Sequence, residues 1–463
     1  MVGLKEYMES PDKEEVFEKV WDEIEQAQKK FSPFITISRE DAERHCELKG
    51  ADTGFLGIPI SVKDCLCTKG IRTTAGSKIL ENYVPPFDAH VVEKIKKIGY
   101  VIGKTAMDEF GFGTFSMNCA FGIPKNPIDP SRSCGGSSGG AACITAALPE
   151  SIPHIAIAES TGGSISCPAA FCGIVGITPT YGRTSRYGMI DYASSLDKIG
   201  IIGKNCFDAA FGLTKIAGFD KRDSTTIDQK EEDYTECLEK DPSKLKIGVP
   251  KEYFAGVDEE VAQEIWRQIK KLESLGIKYE EFSLPSTKYA LPAYYIIAMS
   301  EASTNLAKFC GIRYGETLEI KGDYNEFFSK VRGKYFGKEA KRRCLMGTFY
   351  RKAGYRDKYY LKALKVRGHL INEFKSAFQK YDCLVTPTMP LIAPKFTEIA
   401  ELTPVQHYAM DILTVGPNLC GVPHLSVPVG HSKGMPVGLH IIGDHLQEGK
   451  VFQLGSWVEK GNQ

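Results

Sequence analysis

Between Asn118 and Gly188 the chain is dominated by Gly, Ser, Pro and Thr, and helical periodicity surfaces only around Ala141 to Ala147. Such a stretch is either a loop-rich active centre or a flexible linker, and a linker would be polar throughout. Three apolar blocks decide against the linker: Ile155-Ala156-Ile157-Ala158, Pro168-Ala169-Ala170-Phe171 and Ile174-Val175-Gly176-Ile177. These blocks have to be buried, so the glycine-rich turns between them are held inside a folded body.

Two turns carry the density of glycine: Cys134-Gly135-Gly136-Ser137-Ser138-Gly139-Gly140 and Ser160-Thr161-Gly162-Gly163-Ser164-Ile165. Glycine permits positive φ and close backbone approach, so successive N–H groups can converge on one point and hold an anion there. That anion is either a bound phosphate or the oxyanion of a tetrahedral intermediate. A phosphate site would show Gly-x-x-x-x-Gly-Lys-Ser/Thr or Gly-x-Gly-x-x-Gly at the head of a helix, and neither stands at these turns. Acyl transfer gains from that, but a serine nucleophile needs a base. His90, His154 and the C-terminal histidines sit in no comparable turn, and position in the sequence does not decide whether one of them reaches the site.

The flanking sequence reads as α/β. An apolar stripe of Val16, Phe17, Val20, Trp21 and Ile24 predicts a helix over 12–30. Leu56 to Val62 reads as a strand ending at Lys63-Asp64, with Cys65 and Cys67 spaced as alternate strand positions. Asp88 is placed to N-cap a helix through Val91, Val92, Ile95 and Ile98, which Gly99 ends before a Tyr100-Val101-Ile102 strand. Strand, helix and strand in that order predict a parallel unit. Later come a strand over Leu245–Val249, an amphipathic helix over Asp258–Leu275, a strand over Lys278–Phe282, a helix over Leu361–Tyr381, and strands at Cys383-Leu384-Val385 and Met435–Ile442 before a C-terminal helix. With no internal repeat and no linker, 463 residues are expected to form one large domain.

Charge and cysteine usage narrow the function. Lys plus Arg and Asp plus Glu are 58 each, so no surplus cation exists to hold a polyanion unaided, and any nucleic acid has to be gripped by a partner. The apolar runs are interrupted well short of the roughly 20 residues needed to span a bilayer. Met1 to Glu15 is polar and charged, unlike a signal or transit peptide. The 14 cysteines are scattered singly without metal-ligand spacing, which predicts reduced thiols, an intracellular setting and no metal site.

The run from Gly57 to Gly203 resembles the amidase signature family. Gly57-Ile58-Pro59-Ile60-Ser61-Val62-Lys63-Asp64 is similar to its lysine motif and Gly135 to Gly140 to its central motif. Thr161-Gly162-Gly163-Ser164-Ile165, followed by Pro168-Ala169-Ala170-Phe171-Cys172-Gly173, is similar to its nucleophile motif. The resemblance implies a central mixed β-sheet covered by helices on both faces. It implies a signature core over about 50–215 and an N-terminal helical segment over about 1–48, within a single domain of residues 1–463. It implies Lys63 as base, Ser137 as bridging serine after a cis peptide bond from Gly136, and Ser164 as the acylated nucleophile. The N–H groups of Thr161, Gly162, Gly163 and Ser164 would form the oxyanion hole. A lysine enclosed by apolar strand residues is expected to give up its charge readily. Taken alone, Lys63 would be a solvent-facing lysine at a strand end, and the three serines would be ordinary turn residues.

Thr178 to Gly188, Ser194 to Gly200, Ser300 to Leu306 and Lys341 to Phe349 resemble a narrower group, the A subunits of the glutamyl-tRNA(Gln)/aspartyl-tRNA(Asn) amidotransferases. That resemblance implies a glutaminase that passes ammonia to a B subunit, which binds tRNA and uses ATP and Mg, alongside a small C subunit. It implies no cofactor in this chain, no membrane and a cytoplasmic setting. Arg343 and Asp411 are nominated for the α-carboxylate and α-ammonium of glutamine, with Tyr294 and Tyr295 nearby, and Arg342 leaves the register open by one. Asp411, read as lying in a helix, is expected to have a cationic partner. Two departures stand out. Ser160 and Ser166 replace an Asp and an Arg that many relatives carry, and Leu148 to Pro153 looks like a loop insertion of about three residues. The competing readings are a stand-alone amidase and a non-catalytic binding subunit.

Overall fold

The computed structural model describes residues 4–9, 13–49 and 57–462. Asp12 and Leu56, at the starts of the first predicted helix and strand, lie outside these, as do 1–3 and 463 at the ends of the expected domain.

Eleven strands form one mixed sheet: β1 (Phe34–Ile37), β2 (Ile58–Lys63), β3 (Gly99–Thr105), β4 (Ile155–Ser160), β5 (Val175–Thr178), β6 (Lys198–Gly203), β7 (Lys246–Pro250), β8 (Lys278–Phe282), β9 (Cys383–Pro387), β10 (His424–Ser432) and β11 (Met435–Gly443). Their order is β1-β3-β2-β4-β6-β5-β10-β11-β9-β7-β8. The expected parallel unit is present, since β2 pairs parallel with β3, and β2 also pairs parallel with β4 through Ile60↔Ile155 and Val62↔Ile157. Helices flank this sheet. Those of Glu259–Ser274 and Lys362–Phe378 lie within the predicted spans, and Glu448–Lys460 closes the chain.

Strand β4 explains the Ile-Ala alternation. Ile155 and Ile157 enter the main core, while Ala156 and Ala158 enter a smaller cluster with Ala141, Ala142, Ile165 and Ala169. Both faces of the strand are buried, the alanine face against the helices Gly139–Ala147 and Ser166–Cys172. The second of these helices ends at Gly173 in the left-handed region, φ 69°.

Three local expectations are corrected. Asp88 is not a helix cap: Ala89 holds that position, the helix covers only His90–Ile95, and the Asp88 carboxylate instead accepts from Lys69 N at 2.7 Å and from Lys96 Nζ at 2.8 Å. Cys65 and Cys67 lie in the turn beyond β2, not in the strand, and both are buried. Asp411 follows the helix Pro404–Ala409 in a turn, so it is not inside a helix. All fourteen cysteines are free thiols. Among the described residues no helix is long and apolar enough to cross a membrane, and no cluster of His, Cys, Asp and Glu could hold a metal ion.

The N-terminal helix Lys13–Phe31 lays Val20, Trp21, Ile24 and Ala27 on Phe34, Tyr100 and Ile102. Leu148 and Ile152 of the inserted loop join the same cluster, and Lys204 Nζ ties the loop down by donating to Ile152 O at 2.9 Å and to Pro149 O. The insertion is thus packed into the scaffold and away from the turn that follows β4. Trp21 is 1% exposed, and Trp21→Ala is expected to destabilise the protein by about 3–5 kcal/mol, read as a lowered midpoint in denaturant unfolding.

Candidate active site

Lys63 closes β2 with none of its surface exposed. An ammonium group carries three donors, and all three find acceptors: Ser137 Oγ at 2.8 Å, Glu159 O at 2.9 Å and Glu159 Oε2 at 2.9 Å. The surroundings are therefore not the apolar shell that the strand sequence suggests. A buried carboxylate at the end of β4 forms an ion pair with the lysine. Sequence reasoning does not single out Glu159. Its only signal is a charged side chain that ends the otherwise apolar run Ile155 to Ala158.

Ser137 follows a cis peptide bond from Gly136. The turn is fixed from outside: Asp108 N donates to Ser137 O at 3.3 Å, and the Asp108 carboxylate accepts from Ser116 N and Asn118 N. A Cβ on Gly136 would collide with that carboxylate, so only glycine fits. Burial raises the Asp108 carboxyl to about 6, against the lowering effect of its two backbone hydrogen bonds and of the Lys63 charge.

Ser138 N donates to Ser164 O at 3.3 Å, and Ser138 Oγ donates to Glu159 O at 3.0 Å. Ser138 thus clamps its own turn against the turn that carries Ser164. Lys63 and Ser137 are joined directly, whereas no hydrogen bond joins Ser137 Oγ to Ser164 Oγ among the described residues. The N–H groups of Thr161, Gly162, Gly163 and Ser164 donate to no protein acceptor among the described residues. Four successive free donors beside a serine hydroxyl suit an oxyanion. Among the described residues no histidine bonds Ser137 or Ser164: His154 bonds Thr145 and Ser61, and His424 bonds Ser166 and His440.

The second half of the chain presses onto this turn. A Cβ on Gly162 would stand 2.8 Å from Tyr294 Oη, and one on Gly163 would collide with the Thr414 side chain. Tyr295 Oη donates to Asp411 Oδ2 at 2.5 Å, Thr114 Oγ1 donates to Asp411 Oδ1 at 3.0 Å, and Thr414 Oγ1 donates to Asp411 O at 3.1 Å. Arg343 is the buried member of the arginine doublet, at 3% exposure, while Arg342 is half exposed. The Arg343 guanidinium lies over the rings of Phe112, Tyr192, Tyr295 and Tyr408. It donates to Tyr192 Oη at 2.5 Å and to Glu339 Oε1 at 2.8 Å. Arg343 is paired with Glu339, and the cationic partner expected for Asp411 is not found: among the described residues no ion pair reaches it, and its oxygens accept from Tyr295 and Thr114 instead. Burial raises the Asp411 carboxyl, opposed by Tyr295, Thr114 and the Arg343 charge. A cavity of about 360 Å³ opens beside these groups, lined by Asp108, Thr114, Glu339, Arg343, His407 and Tyr408 among others. It has room for an amino-acid-sized ligand beside the Arg343 guanidinium, and Asp411 stands behind Thr114 of its lining.

Ser160 and Ser166, where the family resemblance implies an Asp and an Arg, are both buried. Ser160 Oγ donates to Gly162 O at 3.2 Å, and Ser166 Oγ lies 3.1 Å from His424 Nδ1.

The profile of the Amidase family matches residues 15–452. The chain belongs to the Amidase family. Within it, this amidase is 50% identical over 415 residues to the A subunit of the glutamyl-tRNA(Gln) amidotransferase from Methanococcoides burtonii, covering 89% of this chain and 86% of that one. It is 46% identical to the corresponding protein of Desulforamulus reducens, covering 97% and 94%. The crystal structure of the Thermotoga maritima counterpart superposes with a TM-score of 0.79 at 36% identity, covering 96% and 90%. The amidase thus belongs to this narrower group as well.

Close packing at Gly163 generates a test. Gly163→Ala is expected to slow labelling of Ser164 by an acylating probe about 10²-fold, because a displacement of the order of 1 Å misplaces the reacting groups. Adding Thr414→Ala to that variant should restore part of the rate, measured by time-resolved mass spectrometry of the intact chain.

Proposed function

We propose that this amidase is the glutaminase subunit of a tRNA-dependent amidotransferase, with Lys63, Ser137 and Ser164 as its catalytic residues. The observation that carries the reading is the buried Lys63 Nζ–Ser137 Oγ contact of 2.8 Å, beside a serine turn whose backbone N–H groups are free. Ser164 Oγ attacks the side-chain carbonyl carbon of glutamine and passes its proton to Ser137, which passes its own to Lys63. The carbonyl π pair moves onto oxygen, where the N–H groups of Thr161, Gly162, Gly163 and Ser164 hold it. Collapse breaks the C–N bond, and the nitrogen recovers a proton through Ser137 and leaves as ammonia. Water then hydrolyses the glutamyl ester by the same route. The hydrogen bond from Ser164 to Ser137 forms when the acyl donor seats, as catalytic contacts often tighten only in the complex.

Arg343 and Asp411 give this site its reason to prefer glutamine over a simple amide. The guanidinium fork takes the α-carboxylate, and Asp411, with Tyr295 and Thr114 on its oxygens, takes the α-ammonium. Tyr294 supports the turn at Gly162. The ammonia goes to a B subunit that binds tRNA and activates it with ATP and Mg, with a small C subunit completing the assembly. The present chain needs no cofactor of its own, and its balanced charge suits a protein that leaves the tRNA to its partner. We place the assembly in the cytoplasm, and the choice between Glu-tRNA(Gln) and Asp-tRNA(Asn) in the B subunit.

Incubation with an electrophilic glutamine analogue should add one adduct, mapped by peptide mass spectrometry to Ser164. Ser164→Ala should abolish it and Lys63→Ala should nearly do so, since groups acting as a unit fail together. An adduct elsewhere overturns the mechanism. Arg343→Lys keeps the charge but loses the fork. It is expected to raise KM for glutamine about 10-fold to 100-fold, the equivalent of a lost charged hydrogen bond, with little change on an amide that lacks an α-carboxylate. Equal losses on both substrates would favour a stand-alone amidase of broad specificity.

A further inference from the structure

The mechanism needs Lys63 as a free amine, yet the structure surrounds its nitrogen with three acceptors, the arrangement of an ammonium that donates to Ser137. One proton has to leave before Ser137 can donate in return. Of the three acceptors, a hydroxyl oxygen and a backbone carbonyl bind no proton at neutral pH, whereas Glu159 Oε2, 2.9 Å away, is a carboxylate oxygen. Lys63 is fully buried and Glu159 is 3% exposed, so bulk water does not compete for that proton.

The far side of Glu159 is built to tolerate this. Thr161 Oγ1 lies 2.8 Å from Glu159 Oε1 and 2.7 Å from Asp197 Oδ1. A hydroxyl has a single hydrogen and can donate to only one of two carboxylates, so both contacts are hydrogen bonds only if one carboxyl is protonated. Burial, and then the charge of Glu159, raise Asp197 well above the usual carboxylate range. Tyr192 N and Ala193 N also donate to the Asp197 carboxyl, each at 2.9 Å on Oδ2, which leaves Oδ1 to carry the proton towards Thr161. Glu159 is the carboxylate of the two because the Lys63 ammonium donates to it at 2.9 Å, so Asp197 donates to Thr161, Thr161 donates to Glu159, and Lys63 donates to Glu159 from the other side. The resting cluster of ammonium, carboxylate and carboxylic acid is neutral. Moving one proton from Lys63 Nζ to Glu159 Oε2 gives an amine and two carboxylic acids, which is also neutral, so no net charge is created in a buried site.

We propose that Glu159 is a positioning residue that receives the proton of Lys63 and so releases the amine to act as base, with Thr161 and Asp197 stabilising the acceptor. In balance, the N–H bond of Lys63 breaks and an O–H bond forms on Glu159. Lys63 then accepts the Ser137 proton as Ser164 attacks, leaving an ammonium that offsets the oxyanion. That proton returns to the departing nitrogen, and the Glu159 proton returns to Lys63 at the end of the cycle. The inference rests on Lys63 being the base.

The other titratable groups facing this pair are Cys65, kept a thiol by burial, and Asp108, raised to about 6. The test is therefore read above about pH 7, beyond the titration of Asp108. It follows kcat and KM for glutamine against pH in the assembled enzyme, for the unaltered chain, Glu159→Gln, Glu159→Asp and Lys63→Ala. The unaltered chain is expected to give a flat kcat, because the transfer is internal. Glu159→Gln cannot take the proton, so kcat falls about 10²-fold at neutral pH and climbs with pH as solvent removes it, while KM is unchanged. Glu159→Asp keeps a carboxyl and a flat profile even where kcat drops, and it carries the test should the Gln variant not fold. A Glu159→Gln profile that matches the unaltered chain, or one uniformly lowered with the same shape, overturns the inference, as does a pH-dependent Glu159→Asp. Turnover that survives Lys63→Ala removes the base itself, an outcome distinct from failure at Glu159.

Discussion

The site depends on placing a lysine where water cannot reach it and giving its three donors acceptors at once. A buried ammonium without partners would cost several kcal/mol, so Lys63 is tolerable only because β4 delivers both the carbonyl and the carboxylate of Glu159 to it. That delivery follows from the parallel pairing of β2 with β4, pinned by Ile60↔Ile155 and Val62↔Ile157. A slip of one residue would turn every β4 side chain to the opposite face and remove the partner. The large isoleucines on one face and the small alanines on the other make the two faces non-exchangeable, so core packing and site geometry are fixed by the same alternation.

The glycines convert that scaffold into a site by letting distant parts of the chain touch the backbone. Gly162 and Gly163 admit Tyr294 and Thr414, and Gly136 admits the Asp108 carboxylate. The nucleophile turn is in this way held between the segment of 57–203 and the segment of 290–414. Asp411 connects the two, accepting from Thr114 on one side and from Tyr295 on the other. Arg343 reaches the same cluster by stacking on four aromatic rings. Glu339 is the one carboxylate on its fork; burial alone would raise Glu339, and Arg343, Tyr408 and Arg342 hold it below the usual range.

What was readable in the sequence was whatever depended on local pattern or on a motif. The strands at Lys278–Phe282 and Met435–Gly443, the parallel unit, and the contact between Lys63 and Ser137 were legible because periodicity or ordered motifs carried them. Asp88 misled because its carboxylate is claimed by Lys69 and Lys96, contacts that no capping pattern reveals. Asp411 misled because the helix before it stops two residues short. Glu159 escapes notice because a strand-end glutamate is ordinarily solvated, and only the pairing of β2 with β4 turns it inward. The pairing of Arg343 with Glu339 is four residues apart on one helix and was present in the sequence, but a surface pair would look the same.

Ser160 and Ser166 put no charge of their own beside Glu159. Adjacent residues of a strand point to opposite faces, so a carboxylate at 159 and one at 160 serve different neighbours. Around Ser160 and Ser166, burial, the Lys198 charge and His440 hold His424 well below its ordinary value, and burial brings Lys198 itself down to about 7. Glu159 pairs with Lys63, and Thr161 links Glu159 to the carboxyl of Asp197. The acidic side chain at this strand end therefore stands at 159, on the lysine, with no second buried charge at 160 or 166 to be left without a partner.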